Sequence, residues 1–216
     1  IGQLSTKPYW SCFYRLPSSG IETPLPLAAA RLPLIALSHP RLQLRICPTC
    51  LVNDYKSPRG VPILRRSHQL PGSLVCHIHG VVLLVRCPGC NKVIVPRTEL
   101  VHLPLRCGSC GYDLRSHVGF PPSDLSPFIH LARFEHECLN SKFAPSPGSE
   151  VAAFIEQYCH DQGIRPIDLL RKKFGTLMNS WRRSTTLPDQ LHLSIANMPT
   201  LCAGLVALGF NDATAR

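Results

Sequence analysis

The sequence predicts a small mixed zinc-bound fold of two parts, a tandem zinc-ribbon or zinc-finger region followed by an all-helical domain, and three observations predict it. Four ligand pairs of one spacing lie between residues 47 and 110. From residue 128 onward, apolar residues recur at helical intervals. The 21 prolines break the chain into short elements, and a hydrophobic share of 44% against 17% charged excludes a disordered polyampholyte. The resulting division is an irregular basic segment at 1–45, the ligand-bearing region at 46–118 and a helical domain at 119–216, with helix-turn-helix an arrangement open to its last part.

The ligand pairs are Cys47/Cys50, Cys76/His79, Cys87/Cys90 and Cys107/Cys110. Two intervening residues let a tight knuckle present both side chains to one tetrahedral ion, and the sixteen residues between Cys90 and Cys107 suit a zinc ribbon. Two zinc ions per chain follow. Sequential pairing puts Cys47, Cys50, Cys76 and His79 on one ion and Cys87, Cys90, Cys107 and Cys110 on the other, and closes only local loops. A cross-braced pairing is the alternative. His77 rivals His79, but only His79 keeps the two-residue gap.

Four Cys/His ligands fill a tetrahedron and leave no position for an activated water, so these are structural sites and the chain is not expected to be an enzyme. A zinc deaminase would need His-x-Glu with Pro-Cys-x-x-Cys, and neither occurs. A thioredoxin-like reading fails because the spacing recurs four times outside any βαβ pattern. Cys12, Cys138, Cys159 and Cys202 lack a paired neighbour and read as small buried hydrophobes.

The formal charge of +10 points to a polyanionic partner. Seven thiolates on two zinc ions lower it to about +7, still basic. No stretch reads as a secretory signal, and the apolar run Leu25 to Leu37 is broken by Arg31 and Pro33 and is too short for a bilayer. Eleven cysteines, an odd number mostly in close pairs, suit metal in a reducing compartment, so a cytoplasmic chain without a membrane partner is expected.

Within 1–45, periodicity is poor and a short helix at Leu27 to Leu37 is limited by Pro33. Residues 46–115 read as short strands and knuckles, with the β-branched run Gly80 to Arg86 as the clearest strand. Helices are expected through Phe128 to Leu139, capped by Asp124 or Ser126, and over Glu150 to Gln162, ended by Gly163. Another should begin at Pro166 and close at Gly175. Leu177 to Arg183, Asp189 to Asn197 and Thr200 to Leu208 complete the bundle.

Between the first two pairs lies Arg65-Arg66-Ser67-His68-Gln69-Leu70-Pro71-Gly72, followed by Cys76-His77-Ile78-His79-Gly80, Cys87-Pro88-Gly89-Cys90 and Cys107-Gly108-Ser109-Cys110-Gly111. From Cys47 to Arg115 this order resembles the TniQ/TnsD family of transposition target-selection proteins. The resemblance implies a non-catalytic adaptor in a prokaryotic, nucleoid-associated setting. It would link duplex target DNA, or an RNA-guided CRISPR effector, to an AAA+ ATPase regulator of the transposase.

Arg65, Arg66 and His68 can then reach phosphate or a partner, or simply pack beside the first zinc. Arg171, Lys172 and Lys173, with Arg182 and Arg183 around Trp181, offer a basic helical surface for DNA backbone, or else a solvated face. Two other readings stand: a zinc-ribbon DNA- or RNA-binding module unrelated to transposition, and an enzyme subunit whose ribbons scaffold a partner's active site.

Overall fold

A computed structural model describes residues 44–70, 72–94, 103–117, 125–140, 148–175 and 198–210. The expected helices at Leu27 to Leu37, Leu177 to Arg183 and Asp189 to Asn197 lie outside the described residues, as do Cys12, Trp181, Arg182 and Arg183.

Among the described residues five α-helices run in order: α1 (Pro48–Lys56), α2 (Ser126–Asn140), α3 (Gly148–Asp161), α4 (Pro166–Phe174) and α5 (Met198–Ala207). The first replaces the strand-and-knuckle reading of its segment. Cys47 is its N-cap, with Sγ accepting the Cys50 amide at 3.4 Å, and Pro48 occupies the first turn, where its missing N–H costs nothing.

The reason one knuckle becomes a helix while three do not lies in a single position. At Cys76, Cys87 and Cys107 the cysteine carbonyl accepts the amide four residues on, from Gly80, Asn91 and Gly111, each at 2.8 Å. Those three residues have φ of 67°, 57° and 73°, which turns the chain back so that each cysteine amide donates to the carbonyl five residues on. After Cys50 the equivalent residue is Leu51, which disfavours positive φ, and the chain continues as α1.

The run from Gly80 to Arg86 makes isolated bridges rather than a regular strand, and no strand occurs among the described residues. Leu83 donates to the Leu74 carbonyl at 2.9 Å, while Leu84 exchanges two hydrogen bonds with Ile46 on the opposite edge. Side-chain alternation still operates: Val81 and Leu83 are buried against Cys47, Cys50 and Cys76, and Val82 is exposed. Knuckles on both sides turn the partners away after one bridge each, which prevents a longer ladder.

The carboxy-terminal helices within the described residues form as the periodicity predicts. α2 buries Phe128, Leu131, Ala132, Phe134, Cys138 and Leu139 along one broad face. α3 ends where Gly163 adopts φ of 62° and Ile164 donates back to the Cys159 carbonyl at 2.9 Å. Gly175 closes α4 and Gly209 follows α5 in the same left-handed manner. The helix α5 contacts α2, α3 and α4, and the bare Gly204 lets Ile155 of α3 lie against it. Cys138, Cys159 and Cys202 are all buried in this core.

That core also holds Leu70 and Val75, from the ligand-bearing region. A second cluster joins Leu44, Ile46, Leu51, Leu84, Ile94 and Leu114 around Cys87 and Cys107.

Candidate metal centre

The eight ligand residues gather into two groups, Cys47/Cys50/Cys76/His79 and Cys87/Cys90/Cys107/Cys110. This is the sequential grouping. In the first, His79 Nδ1 lies 3.5, 3.4 and 3.5 Å from the sulfurs of Cys47, Cys50 and Cys76, and Cys50 Sγ is 3.8 Å from Cys76 Sγ. A tetrahedral ion with zinc-like bond lengths requires S···N edges of about 3.5 Å and S···S edges of about 3.8 Å. The donor set therefore fits a tetrahedral cation. In the second group the Cys87–Cys110 and Cys90–Cys107 sulfur pairs are each 3.6 Å apart, close to the same edge length.

The thiols' protonation shows why such packing calls for a cation. Cys76 is held low, first by a hydrogen bond from Cys47 and then by one from Cys50. Cys50 is pushed up, first by Cys47 and then by Cys76. For Cys47, the bond from Cys50 pulls down, but Cys76 and burial outweigh it and leave the thiol at about 11. One thiolate thus excludes its neighbours until a positive ion compensates them. In the second group Cys107 sits low, at about 6, held first by the Ser109 and then by the Cys110 amide.

Surrounding residues fix the first group. His79 points Nδ1 at the three sulfurs, the orientation a metal ligand needs. Asn53 Nδ2 on α1 lies 3.2 Å from His79 Nε2, and with a metal on Nδ1 the amide turned over would place its oxygen there to accept the Nε2 proton. Asn53 was missed in the sequence because α1 itself was. His77, the rival ligand, instead stacks on His136 of α2 with centroids 3.9 Å apart. Burial, then the charge of His136, hold it down at about 4, so it is neutral at physiological pH.

The segment from Arg65 to Ser73 connects this group to the rest. Arg65 makes a two-pronged ion pair with Asp54 of α1, both contacts at 2.7 Å, so its guanidinium is engaged internally. Arg66 begins a 3-10 turn that runs to Gln69 and is half-buried. His68 is only 3% exposed, so its ring faces inward. A ring nitrogen of His68 is within 4.8 Å of Cys76 Sγ. Gln69 imitates a backbone bridge, its Oε1 accepting the Arg45 amide at 3.1 Å and its Nε2 donating to the Arg45 carbonyl at 2.8 Å. Arg171 and Lys172 of α4 are exposed and Lys173 is half-buried, with Arg171 3.4 Å from Asp168.

Residues 3–83 match the TniQ family model. That stretch is similar to a TniQ domain. A TniQ domain implies a transposition-associated function. The match takes in residues 3–46, which the motifs beginning at Cys47 did not reach, and it ends before Cys87. The first ligand group therefore lies inside the TniQ match and the second beyond it. No curated protein and no solved structure matches the chain. No helix among the described residues is long and apolar enough to cross a membrane.

Proposed function

We propose that this chain is a non-catalytic adaptor for transposition target selection, joining target DNA, or an RNA-guided CRISPR effector, to an AAA+ ATPase regulator of the transposase. The observation that carries the reading is the TniQ match, which takes in the whole of the first ligand group. Both groups are read as zinc sites, since sets of three sulfurs with one imidazole and of four sulfurs suit that ion. Zinc, when bound, would cross-link the knuckles, and with four protein ligands it would hold no reactive water.

The chain's own residues supply the rest. Asn53 orients His79, Gln69 holds the backbone at Arg45, and the Arg65–Asp54 pair braces α1 across the ligand group. Arg171, Lys172 and Lys173 of α4, together with Arg66, are the proposed contacts to phosphate or partner. Arg182 and Arg183 extend that proposal outside the described residues. Arg65 is half-buried and ion-paired with Asp54 and His68 is buried, so in this reading both act on a partner through the segment they hold.

The test is association of the full chain with the AAA+ ATPase encoded beside it, with and without duplex DNA at matched salt. DNA-stimulated association supports the adaptor. Binding of DNA or RNA without association would favour a free-standing zinc-ribbon module.

A further inference from the structure

His68 is buried, and its Nε2 has no hydrogen-bond partner. Buried polar atoms rarely stay unpaired, because the lost water contact is uncompensated. The ring also has a nitrogen within 4.8 Å of Cys76 Sγ. Cys47, Cys50 and Cys76 are at most 2% exposed, so three thiolates around a divalent ion would leave one net negative charge away from water.

We infer that His68 is a positioning residue for the first metal group, donating its Nε2 proton to the Cys76 thiolate when the ion is bound. The inference rests on the zinc reading above. A neutral imidazole has one N–H to give, and an N–H···S bond from it would disperse charge on the sulfur. The neighbouring Gln69 and Leu70 hold the ring there through Arg45 and the helical core.

The experiment is chelator competition and cobalt substitution on the full chain, comparing wild type with His68→Phe, His68→Gln and His68→Asn. Wild type should hold two zinc ions. His68→Phe keeps a ring without a donor, and should weaken the first site about 10- to 100-fold while the second keeps its affinity. The sulfur-to-cobalt charge-transfer band of the first site should shift with it. A glutamine amide nitrogen overlays Nε2 and an asparagine one overlays Nδ1, so His68→Gln should restore affinity and band while His68→Asn should not. That pair decides the matter even if the phenylalanine variant fails to fold, which second-site binding and helical circular dichroism would reveal.

Equal behaviour of the glutamine and asparagine variants overturns the inference, as does a folded His68→Phe with unchanged affinity. A third metal equivalent lost in His68→Phe overturns it too, by making the ring a ligand. If wild type binds no metal at either site, the zinc reading falls along with it. Two bound zinc ions and indifferent His68 variants remove the inference alone.

Discussion

Glu135 of α2 accepts the Ser73 hydroxyl at 2.8 Å through Oε2, and its Oε1 accepts the Gly72 amide at 3.1 Å. The carboxylate is fully buried. Its charge faces Arg45, whose Nη1 donates to the carbonyls of Leu70 at 2.7 Å and Ser73 at 3.0 Å. A buried carboxylate and a buried guanidinium thus grip the same short loop from opposite elements. Gly72 is required, because a Cβ there would run into the Glu135 carboxylate. The helical core and the first ligand group are joined at this point.

Replacing Glu135 with alanine should therefore cost about 3–5 kcal/mol, since it strands the Gly72 amide, the Ser73 hydroxyl and the Arg45 charge in the interior. Glu135→Gln keeps the shape and one acceptor and should cost less. Urea unfolding of the zinc-loaded chain, followed by helical circular dichroism, measures both. Equal stability of the alanine variant and wild type would show that the loop is held elsewhere.

The knuckle geometry separates two glycines that look alike in sequence. Gly111→Ala meets no atom within 4 Å and should lose only the strain of a positive φ, about 1–2 kcal/mol. Gly80→Ala carries the same strain and also brings its Cβ to 3.1 Å from Ile129 Cδ1, so it should be the more damaging. Thermal unfolding of the two variants side by side gives the order.

Ligand loss should propagate differently from the two groups. Cys76→Ser should reduce zinc from two ions to one and also loosen the helical bundle, because the adjacent Val75 is part of the helical core. Cys107→Ser should likewise leave one ion but spare the bundle, since Cys107 packs in the separate cluster around Leu51 and Leu114. Metal content and the helical melting transition, measured on the same samples, decide whether the coupling is one-sided.

How much of this was legible depended on whether the signal was local. The knuckle ligands and the terminators Gly163, Gly175 and Gly209 were readable because spacing and positive φ are properties of a few neighbouring residues. α1 was hidden because Cys47 serves at once as ligand and N-cap, although the contrast of Leu51 with Gly80, Asn91 and Gly111 carried the clue. The run Gly80 to Arg86 had strand character, but the knuckles around it, which no propensity describes, limit each pairing to one bridge. Glu135 gave no warning, since a glutamate amid helical apolar positions reads as surface until its partner, 62 residues earlier, is known.

Asp54 supplies a pH-dependent contribution whose sign is fixed. Its carboxyl is held below the usual range, chiefly by the hydrogen-bonded Arg65 and also by the Ile63 amide. A depressed carboxyl stabilises the fold above its unfolded value, about 3.9, and that contribution disappears as pH falls through the folded value. Asp54→Asn should thus cost about 1–3 kcal/mol near neutral pH, as expected for a charged hydrogen bond mostly shielded from water. The gap between variant and wild type should be level from about pH 5 to 8 and close only in stronger acid. Unfolding free energies of both chains across that range, at saturating zinc where it stays bound, test the plateau.

The basic end of α4 gives the prediction that bears most directly on DNA. Lys172 is exposed and Lys173 half-buried, one turn beyond the Arg165–Asp168 pair that braces the start of the helix. Arg171 already shares Asp168, so the two lysines are the better phosphate contacts. If each neutralises one phosphate, Lys172→Gln with Lys173→Gln should lower the slope of log affinity against log salt by about 2, uniformly across DNA sequences. A solvated face would leave that slope unchanged. Fluorescence anisotropy on a labelled duplex, titrated at several salt concentrations, distinguishes the outcomes, because loss of fold would also abolish zinc retention whereas loss of phosphate contacts would not.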